Sequence, residues 1–197
     1  MSAPKTLFQL LGRGYAPATL SKATLLVIDA QEEYRSGVLQ LPDVEPAIAE
    51  IATLLRAARE CGAPVAHVRH LGIPGGLLDP QGPRGQFIAG LEPLPGEPLV
   101  EKRLPNAFAG TDLHDRLQQL GHLDLIICGF MTHSSVSTTV RAAKDYGYRC
   151  TLVDAACATR DLPYDGDMIP ARDLHRMTLA ALADNYAMVG PQARALM

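Results

Sequence analysis

LIICGFMTHSSVSTTVRAA, residues 125–143, holds the transition on which the fold reading turns. Leu125 to Cys128 is a short unbroken apolar run, the pattern of a strand covered on both faces of a sheet. Gly129 closes the run, a polar turn follows, and a helix opens at Ser135 and extends to about Tyr146. A strand–turn–helix junction of this kind sets a side chain and several backbone N–H groups at the carboxyl edge of a sheet. A helix N-terminus lowers the energy of nearby negative charge, which suits a nucleophile and an oxyanion alike. Ser135 is therefore the candidate nucleophile position.

Outward from this junction, strand and helix patterns alternate. The segments 24–29 (TLLVID), 64–69 (PVAHVR), 98–102 (PLVEK), 123–128, 149–154 (RCTLVD) and 186–189 read as strands. Ile48, Ile51, Leu54, Leu55 and Ala58 share one helical face, and Gly62 and Pro64 stop that helix. A second helix carries Leu113, Leu117 and Leu120, with Thr111 as N-cap and Gly121 as its stop. Pro170 opens a longer helix through Leu174, Met177, Ala181 and Leu182.

Strands alternating with helices require crossovers and give a parallel sheet covered on both faces. The expected fold class is α/β, a three-layer doubly wound parallel sheet of strand order 3-2-1-4-5-6 in one domain spanning 1–197. The first and fourth strands are then neighbours at the switch point, where ligands bind beyond the strand ends. One connection departs from this economy: residues 71–97 contain seven glycines and five prolines and no periodicity. A loop of that length in a compact domain is a lid or pocket wall, or else a surface excursion or subunit contact.

The chain has 197 residues, is 47% hydrophobic and 20% charged, and carries a formal charge of -3 with no basic block. That balance argues against nucleic acid or an anionic membrane as the main partner. No stretch approaches the ~18–20 apolar residues of a membrane span, and the apolar run near Leu7 is too short for a signal peptide, so the expected location is the cytoplasm. Cys61, Cys128, Cys150 and Cys157 form no CxxC pair and read as buried, reduced thiols.

Two charged residues stand at strand ends. Asp29 closes TLLVI, where a half-buried carboxylate has a raised pKa and acts as a base, unless it merely forms a turn or caps a helix. Lys102 ends the third strand within VEKRLPNAFAGTDL. A lone lysine there is ordinarily a solvated charge, and alternation turns its neighbour Arg103 the other way.

Three segments together carry a resemblance. Asp29-x-Gln31-x-x-Tyr34, then Lys102 followed by Phe108-x-Gly110-Thr111-x-Leu113, then Gly129-x-x-Thr132-x-x-Ser135-Val136 are similar to the motifs of the isochorismatase-like hydrolases. With DAACATRDLP and His175 the likeness covers roughly residues 22–190. It implies Asp29 as general base and acid, and Lys102 as the group that holds Asp29 and stabilises charge on the nucleophile. It also implies an oxyanion hole from the N–H groups of Met131 and Ser135, with a cis peptide at Phe130–Met131. It further implies a small-molecule substrate, no cofactor, and a homodimer or homotetramer.

In most members of that family the position of Ser135 is a cysteine. A serine hydroxyl is far less acidic than a thiol and normally needs an aligned His or Lys base. Three readings follow. The favoured one is a cysteine hydrolase of amide, ureido or carbamoyl C–N bonds with an Asp–Lys–Cys triad, whose thiol has been replaced by serine, as in an engineered inactive variant. The second is a vinyl ether hydrolase that needs no cysteine and uses Asp29 as acid. The third is a relative that binds without catalysis.

Gln31, Tyr34, His70, Phe108 and His133 are the candidate pocket residues, with core packing an almost equal account of Tyr34 and Phe108. His67 and His70, three apart on a strand, point to opposite faces, which argues against zinc. The Asp-x-His metal element that the family's nicotinamidase branch carries after the first helix region is absent there, which argues only against nicotinamide as substrate. His175 reads as a packing or hydrogen-bonding residue.

Overall fold

The computed structural model describes residues 3–197. Its strands are β1 (Thr24–Ile28), β2 (Val65–His70), β3 (Leu99–Lys102), β4 (Asp124–Phe130), β5 (Arg149–Ala158), β6 (Leu162–Tyr164), β7 (Asp167–Ile169) and β8 (Ala187–Gly190). Six of them form one sheet in the order β3-β2-β1-β4-β5-β8, with every neighbouring pair parallel. The expected doubly wound order holds. A two-stranded hairpin of β6 and β7, inserted ahead of the last sheet strand, is the addition.

The helices are α1 (Leu7–Leu11), α2 (Glu33–Ser36), α3 (Val44–Cys61), α4 (Leu113–Leu120), α5 (Ser137–Asp145) and α6 (Ala171–Asn185). Successive residues of β1 point to opposite faces of the sheet, so each feeds a different layer. Leu25 and Val27 join Ile51, Leu54 and Leu55 of α3 in one core cluster. Leu26 and Ile28 join Leu113 and Leu117 of α4, Val140 of α5 and Leu182 of α6 in the other. α3 ends where Gly62 takes φ 72° and its N–H bonds back to the carbonyls of Ala58 and Arg59, a conformation that costs glycine nothing.

Two backbone features shape the carboxyl edge. Gly129 lies opposite Ile28 at φ 121°, and a Cβ placed there would stand 2.0 Å from the Ile28 carbonyl oxygen. Only glycine lets the ends of β1 and β4 lie this close. Further along, Ile127 pairs with Leu152 but Gly129 pairs with Cys157, so residues 153–156 loop out of the ladder.

Several local expectations change. β5 runs to Ala158 rather than stopping at Asp154. Ser135 does not open α5; it sits in a five-residue π-helical turn, Thr132–Val136, that precedes it. The N-cap of α4 is Asp112, and the Thr111 hydroxyl instead accepts from the Leu113 N–H at 3.3 Å. Cys61 is exposed, whereas Cys128, Cys150 and Cys157 are buried, because Cys61 closes α3 at the surface. Among the described residues no helix is long and apolar enough to cross a membrane.

Candidate active site

β1, β3 and the turn after β4 bring Asp29, Lys102 and Ser135 together. Lys102 is the last residue of β3 and is paired in register with His70, the last residue of β2. Its side chain is wholly buried, with Nζ 2.6 Å from Asp29 Oδ2, and it donates to Ser135 Oγ at 3.1 Å. The ammonium also lies 3.1 Å from His70 Nδ1. A charged lysine has no acceptor of its own, so it donates and the imidazole accepts.

Asp29 follows β1 in the left-handed region at φ 51°. Aspartate tolerates that region better than most residues. The conformation is held by its N–H bonding to the Val68 carbonyl at 2.9 Å and its carbonyl accepting from the Gln31 N–H at 2.8 Å. The carboxylate has no exposed surface. Neither oxygen accepts a well-directed hydrogen bond, so the short contact to Lys102 acts as an ion pair. Burial raises the Asp29 pKa above the usual carboxylate value, opposed by the Lys102 charge and more weakly by the Ser135 hydroxyl. Burial, then the charges of Lys102 and Arg103, lower His70 to about 4, which keeps its ring neutral at neutral pH.

The Phe130–Met131 peptide is cis, as the resemblance implies. In the turn that follows, the Met131 carbonyl accepts from the Ser134 N–H at 3.0 Å and the Val136 N–H at 3.2 Å. Ser135 is 5% exposed.

The expected pocket residues separate into groups. His70 touches the Lys102 ammonium, and His133 lies in the turn with Nδ1 bonded to Thr159 Oγ1. Gln31 is held by backbone groups. It is fully buried, its Nε2 donates to the carbonyls of His70 and Gly85, and its Oε1 accepts from the His70 N–H, so it ties the long loop to β2. Tyr34 packs edge-on against Phe130 at 5.9 Å within the core. Phe108 stacks on Tyr146 at 4.9 Å and Tyr148 at 6.1 Å, in the cluster between the sheet and α4–α6. The Phe108 N–H bonds to Asn106 Oδ1, a tight turn that sends the ring toward those tyrosines. His67 and His70 do diverge, since His67 Nε2 meets Glu97 Oε2 at 3.0 Å.

Residues to which the sequence reading gave no place in the site also surround the turn, and His175 is the hydrogen-bonding residue expected. Thr132 bonds to His175, which bonds to Asp154. Arg160 has a buried Nε without a hydrogen-bond partner, and its charge, after burial, helps lower the His133 pKa. Asp154 and Arg160 lie within DAACATRDLP and His175 lies twelve residues beyond it, but nothing in the sequence pairs them with the turn. A cleft of about 480 Å³, lined by Asp43, Asp154, Thr159, Pro170, Arg172 and His175 among others, opens beside this group. Asp29, Lys102 and Ser135 do not line it.

Comparison with known proteins identifies the family and the fold. Residues 23–193 match the isochorismatase domain family. A solved isochorismatase structure from Pseudomonas putida KT2440 superposes with TM-score 0.96 at 61% identity, over 99% of this chain and 100% of that one. The uncharacterized isochorismatase family protein YddQ of Bacillus subtilis is 38% identical over 84% of this chain and 93% of its own length. A streptothricin hydrolase of Streptomyces noursei is 35% identical over 87% of this chain and 69% of its own.

Proposed function

The chain belongs to the isochorismatase family, and from that premise we propose that it hydrolyses the C–N bond of a small amide, ureido or carbamoyl substrate at Asp29, Lys102 and residue 135. The observation that carries the reading is the position of Lys102 Nζ, buried between Asp29 Oδ2 at 2.6 Å and Ser135 Oγ at 3.1 Å. That places a fixed positive charge against both a carboxyl group and a nucleophile position, which is what acyl transfer from an amide needs. The streptothricin hydrolase relative, and more distantly a nicotinamidase and a maleamate amidohydrolase, support hydrolysis of this kind.

In the proposed reaction the heteroatom of residue 135 attacks the carbonyl carbon and its proton passes to the Asp29 carboxylate. The oxygen that becomes negative rests on the N–H groups of Met131 and Ser135. When the carbonyl re-forms, the C–N bond breaks and Asp29 returns the proton to the departing nitrogen, releasing ammonia or an amine. Water then attacks the acyl group, Asp29 takes its proton, and residue 135 leaves with that proton restored. A pKa raised above the usual carboxylate value suits Asp29 to both halves, since burial makes it a better proton acceptor than an ordinary carboxylate. Lys102 keeps charge on residue 135 and Asp29 stabilised throughout. The steps use side chains, backbone and water.

Serine is the slow form of this machinery. It needs proton removal by a strong, aligned base, and Lys102 donates to it rather than accepting. The test is Ser135→Cys, assayed for ammonia or amine release over a panel of small amides, ureido acids and carbamoylated amines. Turnover that rises with the thiol supports the reading. A second reading, acid cleavage of a vinyl ether by Asp29, is favoured by the same raised carboxyl pKa. It wins if Ser135→Cys gains nothing while the chain as it stands cleaves isochorismate. If Asp29→Asn changes neither, the site binds without turnover.

A further inference from the structure

Outside the Asp29–Lys102 pair, Thr132, His175 and Asp154 form an unbroken hydrogen-bonded line. His175 Nδ1 lies 2.9 Å from Thr132 Oγ1, and Nε2 lies 2.8 Å from Asp154 Oδ1. A carboxylate only accepts, so Nε2–H donates to Asp154; the neutral ring then accepts the Thr132 hydroxyl proton at Nδ1. Three elements contribute. Thr132 is the first residue of the π-helical turn, Asp154 belongs to the looped-out 153–156 segment of β5, and His175 is on α6.

The sequence hydroxyl–imidazole–carboxylate is that of a nucleophile relay, yet Thr132 has no exposed surface. Ser135, three residues on, keeps some exposure and carries the contact to Lys102. The Thr132 hydroxyl is a held group, not an attacking one. The turn needs holding, because Met131 at its start makes no side-chain cap. Thr138 Oγ1 of α5 donates to the Ser134 and Ser135 carbonyls and Lys102 to Ser135 Oγ, while at its start the turn is tied by Thr132 to His175 and by His133 to Thr159.

We infer that Asp154 and His175 are positioning residues for the turn 132–136. The carboxylate orients the imidazole, the imidazole orients the Thr132 hydroxyl, and the anchored turn sets the direction of the side chain at 135 and its N–H group. The break in β5 pairing gives Asp154 this reach. The inference rests on the proposed role of residue 135 as the reacting position, but not on any substrate.

The test uses the full chain carrying Ser135→Cys, with iodoacetamide as probe and alkylation read on the peptide containing residue 135. Thr132→Val removes the hydroxyl at nearly the same volume. It slows alkylation roughly tenfold, since a misplacement of ~1 Å costs up to ~10²-fold, and Thr132→Ser restores the rate. His175→Ala slows it similarly, His175→Gln recovers most of the loss, and Thr132→Val with His175→Ala is no slower than either alone. Alkylation equal to the parent in folded Thr132→Val overturns the inference, as do additive losses or a Thr132→Ser variant that restores nothing. The Thr132 pair decides the matter if His175→Ala does not fold. Alkylation requires no turnover, so an amide panel that shows no hydrolysis counts against the proposed function while leaving this result standing.

Discussion

Lys102 Nζ and Asp29 Oδ2 meet at 2.6 Å with neither side chain reaching solvent. A pair in that position is costly to break, because the partner left behind stays charged in a medium that solvates it poorly. Lys102→Met is expected to lower stability by about 3–5 kcal/mol, the range for a buried pair losing one member. Adding Asp29→Asn to Lys102→Met recovers much of that loss. Urea unfolding midpoints of the two single variants and the double check the cycle. In the Ser135→Cys background, Asp29→Asn alone reduces hydrolysis by at least ~10²-fold, the usual worth of a proton-transfer group.

His70 makes the fold sensitive to acid. Its folded pKa of about 4 lies below the ~6.5 of an unfolded chain, so the unfolded state binds the proton first. The contribution is complete above pH ~6.5 and is lost as pH falls toward 4. His70→Gln removes the titrating group. Between pH 7 and 4.5 the parent protein is expected to lose more stability than His70→Gln, measured as the urea midpoint at several pH values. Equal slopes for the two proteins would discard the assignment.

Gly129→Ala is expected to be severe. The new Cβ would meet the Ile28 carbonyl oxygen at 2.0 Å and two further backbone atoms of Ile28 at 2.8 Å, and backbone cannot step aside. The loss falls in the exceptional class above about 4 kcal/mol, or the chain fails to accumulate as folded protein. Gly62→Ala is the control. It also has positive φ, but nothing lies within 4 Å of its Cβ, so it costs only the ~1–2 kcal/mol of a left-handed residue. Thermal unfolding separates the two.

Glu97 fixes the far end of the 71–97 excursion. It accepts from Arg59 at 2.8 and 2.9 Å and from the Leu94 N–H at 2.8 Å, and it faces His67 Nε2 at 3.0 Å. Glu97→Ala leaves the Arg59 guanidinium and a buried imidazole without their partner, at a cost of about 1–3 kcal/mol. Limited trypsin digestion at the exposed Arg84 is expected to quicken in the variant. An unchanged cleavage rate would mean that the loop is held elsewhere.

The sheet was legible because β1 and β4 are covered on both faces, which writes them as unbroken apolar runs. Asp29 was legible as the acid that ends β1, whereas Lys102 ends a strand interrupted by the exposed Glu101 and was legible only through the resemblance of the segment that follows it. The packing of Phe108 was not legible because its partners Tyr146 and Tyr148 lie about forty residues away. The backbone bonds of Gln31 were not legible because His70 and Gly85 are distant in sequence. The β6–β7 hairpin was overlooked although it carried a signal: Asp165-Gly166, at φ 50° and 83°, is the dipeptide favoured by two-residue hairpin turns. β5 was cut short because Asp154 interrupts its apolar run, and the run resumes only after residues 153–156 have left the ladder.

The excursion after β2 is tethered at several places. The Leu71 N–H bonds to the Lys102 carbonyl, Gly85 and Phe87 meet Gln31, and Glu97 grips Arg59. Residues 72–84 run between the first two tethers, and of these Leu78 alone is buried in the core. Lengthening such a span is cheap, about 0.6 kcal/mol for each doubling, and its insertions need not move Asp29, Lys102 or the turn. Proteins built on this frame can therefore change their diet by rewriting one stretch of chain while inheriting the reactive centre intact.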